Sequence, residues 1–331
     1  MDSNLFNPAR RAVLAGGLGG AALALWGTRA HAQAWPARPV RVLLGYTPGG
    51  AADVTAREVM TPLGRLLGQP VVIDYKAGAS GTIAGAEVVR AATDGYTLGL
   101  LDNAPLTIVP ALRNVGYDPL AGFTPVAMVS QLPQVLVAPP SAGVATVQEL
   151  IALMRKEPGR LSYASGGSGS VGHLAAELFK SRTDTFAVHV PYRGGAPAIT
   201  ALLGGDVQFA FLTASATGPF ISSGKLKALG VSSLTRMPSL PHVPTIAESG
   251  VPGFDAPGWF ALMGPAGLPE PVVLAIRKAL AEVLASPGMA GRLEALGQTA
   301  APPSADVRRT IAAEGAMWKK LIAERKIAVE G

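Results

Sequence analysis

The sequence predicts an α/β fold made of two parallel-sheet domains that are joined by a hinge of two chain segments. Three observations indicate this fold class. Apolar runs typical of strands alternate with amphipathic runs typical of helices, the alternation occurs twice, and each half contains a glycine-rich loop between an apolar and an amphipathic run. The two loops are YTPGGAAD at residues 46–53 and SGGSGS at residues 165–170.

Residues 1–32 have the layout of a secretory signal and are set apart from the fold. Arg10 and Arg11 precede an apolar stretch rich in Ala, Gly and Leu, which is followed by Ala30-His31-Ala32. The paired arginines and the weak hydrophobicity of the stretch favour twin-arginine export, with general secretion as the alternative. We therefore expect a periplasmic protein that is exported by a cleavable N-terminal signal.

The composition excludes several classes of protein. The predicted signal holds three arginines and one aspartate, so its removal lowers the formal net charge from +6 to +4. Only 15% of the residues are charged, and no run of Lys or Arg forms the basic stripe of a nucleic-acid-binding protein. Since the chain has no cysteine, disulfides, thiolate nucleophiles and cysteine-ligated metals are excluded.

The first alternation builds the first domain. Strands are predicted at 40–46, 71–75 and 96–101, and helices at 53–67 and 82–92. Such an order predicts a parallel sheet covered by helices. The apolar stretch 123–138, which Pro125 and Pro133 interrupt, is where we expect the chain to leave this domain.

The second alternation builds an inserted domain. It predicts helices at 146–156, 173–181 and 196–204 and strands at 161–164, 187–192, 209–212 and 228–232. The Pro- and Gly-rich segment 238–258 is the expected return, followed by a strand at 259–264 and helices at 271–285, 289–296 and 305–324. These last helices have no sheet of their own and are expected to pack on the first domain. Domain 1 is therefore 33–131 plus 257–331, and domain 2 is 132–256.

The ends of the predicted strands indicate where a ligand binds. Ligands of open parallel sheets lie beyond the carboxyl ends of the strands, so residues 46–53, 102–105 and 165–170 should face one interdomain cleft. A glycine-rich loop at a helix start presents free N–H groups that favour an anion. Two such loops predict a clamp that closes by hinge motion.

Eight short stretches occur in an order typical of one family. They are Tyr46–Asp53 (YTPGGAAD), Leu67–Val72 (LGQPVV), Asp94–Leu98 (DGYTL), Pro158–Ser165 (PGRLSYAS), His189–Ala198 (HVPYRGGAPA), Leu202–Gly205 (LLGG), Leu240–Thr245 (LPHVPT) and Gly250–Gly253 (GVPG). In these stretches the chain resembles the substrate-binding proteins of tripartite tricarboxylate transporters, the Bug or TctC-like family. The resemblance implies a two-lobed, type II (venus-flytrap) periplasmic binding protein that delivers small carboxylates to membrane permease subunits, without cofactor, catalytic residue or metal.

The expected ligand-binding residues come from both loops and from neighbouring turns. The first loop supplies Tyr46, Thr47, Gly49, Gly50, Ala51, Ala52 and Asp53, and the second supplies Ser165, Ser168, Ser170 and His173. The resemblance adds Asn103 and the turn of Tyr192, Arg193 and Gly194. Thr213 is included because relatives often have an acidic residue near this strand end, and its loss favours a more anionic or less polar ligand.

Several of these residues also have a purely structural explanation. Asp53 caps its helix at least as readily as it contacts a ligand, since it would repel a carboxylate, and we expect it to organise the loop. His173 is either a polar ligand contact or a structural cap partner. Arg193 either pairs with a ligand charge or is solvated, Tyr46 lines the cleft or completes the core, and Trp259 packs at the hinge.

Two features of the sequence bear on other function classes. Residues 167–172 match the G-x-G-x-x-G of dinucleotide-binding proteins, but the acidic residue expected about 20 positions later is absent, and Arg193 could serve only an NADP-dependent dehydrogenase. A serine hydrolase is disfavoured because the G-x-S-x-G motif is incomplete. The remaining alternative is an exported sensor that reports to a signalling partner such as a sensor kinase. The class of carboxylate, amino acid or aromatic acid that binds stays open.

Overall fold

The computed structural model of the protein describes residues 35–327, and every helix and strand below lies in one compact unit that begins at Arg38. The predicted signal at residues 1–32 lies outside the described residues. Within the described chain, no helix is both long and apolar enough to cross a bilayer.

Six strands form the first sheet. They are β1 Val40–Leu44, β2 Val71–Tyr75, β3 Thr97–Asp102, β4 Phe123–Leu132, β10 Gly258–Pro265 and β11 Thr299–Ala300, in the order β11-β4-β10-β3-β1-β2. Strand β1 is parallel to β2 and β3, with Val42 opposite Ile73 on one side and Leu98 on the other. Strand β10 is antiparallel to both β3 and β4, so the sheet is mixed rather than wholly parallel.

The helices of the first sheet are α1 Ala51–Leu67, α2 Thr82–Val89, the short α3 Val109–Leu112, α8 Glu270–Ala285, α9 Met289–Ala295 and α10 Val307–Arg325. A π-helical turn, Ala104–Ile108, precedes α3. Helix α1 ends at Gly68, whose left-handed backbone lets its N–H bond the carbonyls of Gly64 and Arg65. The sequence predicts the main helices here but misses the π-helical turn and α3, where Pro105 and Pro110 suggest a loop.

Five strands form the second sheet. They are β5 Gln134–Ala138, β6 Ser162–Ser165, β7 Val188–Pro191, β8 Phe209–Thr213 and β9 Lys227–Val231, in the order β7-β6-β8-β5-β9. Strand β6 is parallel to β7 and β8, whereas β5 is antiparallel to β8 and β9. The covering helices are α4 Val147–Lys156, α5 Val171–Thr183, α6 Gly195–Gly204 and α7 Ala214–Ser222.

The strands at which the chain passes between the two sheets account for the antiparallel pairs. The apolar stretch 123–138 is two strands of different sheets, because β4 ends at Leu132, β5 begins at Gln134, and only Pro133 separates them. The return enters β10 at Gly258, which pairs with Leu132. Every antiparallel pair of the two sheets contains one of the strands at the crossing, β4, β5 or β10.

The two crossing segments are bonded to each other through Ser232. Its hydroxyl accepts the N–H of Gln134 at 2.8 Å and donates to the carbonyl of Ala256 at 3.0 Å. Its backbone N–H bonds the carbonyl of Gln134 at 2.8 Å, and its carbonyl accepts the N–H of Ala256 at 2.9 Å. The outgoing segment at Gln134 and the returning segment at Ala256 are therefore joined, through Ser232, in one hydrogen-bonded ribbon.

Helix α10 packs on both domains, whereas the sequence predicts that the last helices pack on the first domain. Val307 and Ile311 are buried in the core of the first sheet. Trp318 and Leu321, further along the same helix, are buried in the core of the second sheet. A helix of 19 residues spans nearly 30 Å, so its two ends reach two cores.

Candidate ligand-binding cleft

The first glycine-rich loop joins β1 to α1 and is held in place by Asp53. The loop is exposed from Thr47 to Gly50, whereas Asp53 is only 4% exposed. The Asp53 carboxylate accepts the N–H of Gly49 at 2.8 Å, Arg57 Nε at 2.8 Å and the hydroxyl of Tyr75 at 2.6 Å. Burial acts to raise the pKa of Asp53, but the bonds from Tyr75, Gly49 and Arg57 together lower it. An ionised carboxylate thus fixes the turn, in which Gly49 has a φ of 88° that only glycine readily adopts.

The donors that remain in this loop belong to the first turn of α1. The N–H of Gly49 is engaged by Asp53, so it stabilises the loop itself. Gly50 precedes the helix without a side-chain cap, and the N–H groups of Ala51 and Ala52 have no partner among the described residues. Unpaired N–H groups at a helix start, together with the helix dipole, favour a negative charge.

Two side chains meet where β1 and β3 end. The Tyr46 hydroxyl donates to Asp102 Oδ2 at 2.6 Å. Asp102 Oδ1 is buried and has no hydrogen-bond partner in the described chain. Burial raises the pKa of Asp102 to about 7, although Tyr46 and nearby backbone N–H groups act in the opposite direction. Burial likewise raises the pKa of Tyr46. Sequence reasoning placed residues 102–105 at the cleft but assigned no role to the Asp102 side chain.

Asn103 lies against the returning segment. It is fully buried, its Nδ2 donates to the carbonyl of Pro257 at 3.3 Å, and its Oδ1 has no partner in the described chain. Thr107 donates to the carbonyl of Asn103 at 2.8 Å and lies 3.1 Å from Glu314 Oε2. The structure therefore places Asn103 at the hinge rather than on an open surface.

Glu314 of α10 is a hinge residue that sequence reasoning missed. Its Oε1 accepts the indole N–H of Trp259 at 2.6 Å, and Trp259 is buried at the start of β10, as expected for a hinge aromatic. Burial raises the pKa of Glu314 to about 7, and the neighbouring charge of Asp255 acts in the same direction. Trp259 and Glu314 are 55 positions apart in the sequence, so no local pattern could reveal this pair.

The second glycine-rich loop, between β6 and α5, is shaped by its own hydroxyl groups. Ser165 is buried, and its Oγ lies 2.7 Å from His189 Nε2 and accepts the N–H of Gly167 at 3.2 Å. Ser170 caps α5 by accepting the N–H of His173 at 3.3 Å. Ser168 has no hydrogen-bond partner among the described residues and is half-buried, so its hydroxyl is the free donor of this loop.

His173 supports the second loop from behind. It is 3% exposed, and its Nδ1 accepts the N–H of Gly169 at 3.0 Å. Its ring stacks on that of His189 at 3.9 Å, and both line a cavity of about 680 Å³ between α5 and the end of α10. Burial lowers the pKa of His173 to about 3 and that of His189 to about 4, so both rings are neutral at pH 7.

The remaining predicted residues lie at strand ends of the second sheet. The N–H of Tyr192 bonds the carbonyl of Ser165 at 3.0 Å, and the N–H of Gly194 bonds that of Gly166 at 3.2 Å, so this turn lies beside the second loop. Arg193 is exposed and forms no ion pair within the described chain. Thr213 ends β8 opposite Gln134, close to the crossing.

Two close approaches join elements of the two sheets. A Cβ added at Gly169 would lie 3.3 Å from Leu112 Cδ1 of α3, and one added at Gly297 would lie 2.8 Å from Ala214 Cβ of α7. Gly172 fits α5 closely against the carbonyl of Phe211 in β8, which leaves no room for a side chain. Residues of the second loop and of the start of α7 therefore contact elements grouped with the first sheet, and a single cleft between the strand ends stays a prediction. Among the described residues, no cluster of three metal-ligating side chains occurs.

Comparison with known proteins agrees with this architecture. The model of the family described as "Tripartite tricarboxylate transporter family receptor" matches residues 55–327. A UPF0065 protein of Pseudomonas sp. (strain P51) is 36% identical over 98% of this chain and 97% of its own length. The protein BugT of Bordetella pertussis (strain Tohama I) is 36% identical over 88% of this chain and 91% of its own length.

Solved structures of similar proteins are two-lobed. Rpa4515 of R. palustris, determined with adipate, is 35% identical with a TM-score of 0.78, over 89% of this chain and 100% of that one. The periplasmic binding protein BugD is 32% identical with a TM-score of 0.75, over 89% and 100%. MatC of Rhodopseudomonas palustris, determined with malate, is 30% identical with a TM-score of 0.75, over 87% and 100%.

Proposed function

Because the chain belongs to the tripartite tricarboxylate transporter receptor family, we propose that it captures a small carboxylate in the cleft and delivers it to the membrane subunits of such a transporter. The family and its structural neighbours are periplasmic solute-binding proteins, not enzymes. Membership of this family excludes the NADP-dependent dehydrogenase, and neither the family nor its structural neighbours support a sensor kinase partner. Two similar proteins were determined with dicarboxylates, adipate and malate.

The observation that supports this function most directly is the free first turn of α1. The N–H groups of Ala51 and Ala52 lack partners among the described residues, while the ionised carboxylate beside them, Asp53, is paired with Arg57 and bonded by Gly49 and Tyr75. A carboxylate held by backbone N–H groups needs no cationic partner, so it is bound without a strong ion pair and can be released.

The opposite lobe supplies further polar groups in this proposal. The Ser168 hydroxyl and the exposed Arg193 beside the second loop are the groups available to a second carboxylate or polar end of the ligand. We take domain 1 as 33–131 plus 257–331 and domain 2 as 132–256, with the ribbon at Ser232 as the hinge. Export by the signal at residues 1–32, through the twin-arginine route, is part of the same proposal.

Ligand screening tests this function. Mature protein, residues 33–331, would be heated with malate, adipate, citrate, glutamate or benzoate, and with glucose and NADPH as controls. A ligand at 100 times its Kd should stabilise the fold by about 2.7 kcal/mol, which raises the midpoint measurably. Stabilisation by NADPH with none by any carboxylate would contradict the proposal.

A single substitution tests the role of the helix start. Ala51→Pro removes one N–H, yet proline suits the first helical position and Gly50 already has the extended backbone that must precede it. Since a hydrogen bond to a charged group contributes roughly 1.5–3 kcal/mol, we expect Kd to rise about tenfold or more by calorimetry. Ala51→Ser keeps the N–H and is the matched control. Equal Kd values for both variants would exclude the Ala51 N–H as a ligand donor.

A further inference from the structure

The pair formed by Asp102 and Tyr46 lies at the ligand end of the first sheet. Strands β1 and β3 are parallel neighbours. Their last residues, Leu44 and Asp102, therefore lie at the same edge of the sheet. Tyr46 is the last residue before the exposed part of the first loop, and its hydroxyl is 2.6 Å from Asp102 Oδ2. Asp102 is therefore bonded to the residue at which the first loop begins, and the same loop leads to the free N–H groups of Ala51 and Ala52.

No positive charge balances Asp102. No ion pair involves it within residues 35–327, and its Oδ1 is buried without a partner there. The titratable groups near it are Tyr46 of the first loop and Tyr117 of the segment after α3. From β10, the uncharged Phe260 pairs with it. The other acids near this edge are occupied, since Asp53 is bonded to Arg57 and Tyr75, and Glu314 to Trp259 and Thr107.

We propose that binding of a carboxylate in the cleft is coupled to the uptake of one proton by Asp102. The inference rests on the proposed function. In this proposal a carboxylate on the first turn of α1 lies near enough to Asp102 for the two negative charges to repel, and no ion pair of Asp102 within residues 35–327 offsets that repulsion. The protonated acid removes this repulsion, so the liganded protein holds a proton that the free protein lacks.

The direction of the pH dependence follows from this coupling. Burial raises the pKa of Asp102 to about 7 in the free protein, and the bound anion raises it further. Below pH 7 both forms are protonated and affinity is constant. Above pH 7 the free protein loses the proton first, so Kd should rise by up to tenfold per pH unit until the pKa of the complex is reached.

Other buried acids could produce a similar profile and define the control. Burial raises the pKa of Glu314 to about 7 and that of Asp255 to about 6. Glu314 is bonded to Trp259 and Thr107 at the hinge, so its ionisation would act on folding or closure rather than on the anion site. The variant Glu314→Gln therefore separates a hinge effect from an effect of Asp102.

Isothermal titration calorimetry tests the coupling. Malate and adipate would be titrated into the mature chain from pH 5.5 to 9, in phosphate and in Tris, whose different ionisation enthalpies report the number of protons exchanged. Wild-type protein should take up close to one proton near pH 8 and bind more weakly as the pH rises. Asp102→Asn should bind without proton uptake, with a Kd that no longer depends on pH. Glu314→Gln should still take up close to one proton near pH 8 on binding.

A second variant keeps the test decisive if Asp102→Asn fails to fold. The Tyr46 hydroxyl stabilises the ionised form of Asp102, so Tyr46→Phe should raise its pKa and move the onset of weakened binding to higher pH. Proton uptake that persists in Asp102→Asn, or disappears in Glu314→Gln, would overturn the inference. Binding by wild-type protein that is independent of pH would overturn it and leave the proposed function intact. Absence of binding by any screened carboxylate at pH 6 would overturn both.

Discussion

At the residue scale, the first loop depends on one internal carboxylate. Asp53 has three donors and a lowered pKa, so it remains ionised although it is buried. Folding therefore gains stability from Asp53 above its unfolded pKa near 3.8 and loses it as the pH falls through the lower folded value. The sequence hypothesis that Asp53 organises the loop is consistent with these contacts, and direct contact with a ligand stays a prediction.

Replacing this carboxylate should weaken both the fold and ligand binding. Asp53→Asn removes the charge that Gly49, Arg57 and Tyr75 share. We expect a loss of about 2 kcal/mol in urea unfolding at pH 7 and a clear rise in Kd. Asp74→Asn is the control, because Asp74 forms partly exposed ion pairs and should change stability by less than about 1 kcal/mol. Equal losses in both variants would contradict a special role for Asp53.

His173 provides a second test at the residue scale. Its Nδ1 accepts the buried N–H of Gly169, so His173→Leu leaves that donor without a partner. The expected loss is about 1–3 kcal/mol in urea unfolding, with weaker ligand binding. His173→Asn places an amide oxygen near the position of Nδ1 and should recover much of both. A variant His173→Leu that binds normally would show that the second loop does not need this support.

Local features of the cleft were accessible from the sequence, whereas its long-range pairs were not. Glycine-rich loops between a strand and a helix identify the free N–H groups at the start of α1, because these depend on residues a few positions apart. Ser170 was expected to contact a ligand, whereas its hydroxyl accepts the N–H of His173 and caps α5. Tyr46 and Asp102 are separated by 56 residues, and their pairing depends on the register of neighbouring strands. No periodicity in the chain encodes such a register.

At the element scale, α10 contributes to the cores of both sheets. Trp318 is 1% exposed among residues of the second core, although α10 begins in the first. The sequence predicts the helix itself from its amphipathic period, but that period does not say which sheet each turn covers. Helix α7 was missed for a related reason, since it follows β8 directly at Ala214 and contains Pro219.

Truncation of Trp318 tests the contribution of α10 to the second core. Trp318→Ala should lower the free energy of unfolding by about 3–5 kcal/mol, because it leaves a large cavity. Trp318→Phe should cost much less, since the indole N–H is buried without a partner in the described chain. Leu274→Ala, at a side chain that is 54% exposed, is the control and should change stability by at most about 0.5 kcal/mol. A small effect of Trp318→Ala would show that the end of α10 is dispensable.

At the scale of the whole molecule, buried titratable groups should give an acidic optimum of stability. Asp102, Glu314 and Asp255 have pKa values raised to about 7, 7 and 6, so the folded state holds protons that the unfolded chain has lost, and stability falls as the pH rises toward 7. His173 and His189 have lowered pKa values. Below pH 6.5 the unfolded chain therefore binds protons at these histidines that the folded state does not bind, and stability falls as the pH decreases.

Calorimetric unfolding of the ligand-free protein checks this optimum. The midpoint should be higher at pH 5 than at pH 8, because the three acids with raised pKa values outnumber the two histidines with lowered ones. Glu314→Gln should flatten the decrease between pH 6 and 8, since the amide cannot ionise. A midpoint that rises steadily up to pH 8 would contradict the raised pKa values.

The bonds around Ser232 bear on how the lobes can move. Because Gln134, Ser232 and Ala256 are tied side by side, the outgoing and returning strands cannot slide past each other without breaking four hydrogen bonds. A ribbon of this kind twists easily about its long axis and resists shear. Opening and closing should therefore follow one rotational coordinate, with an axis that passes close to Ser232. A single pair of spectroscopic labels, one on each lobe, would then report the full motion.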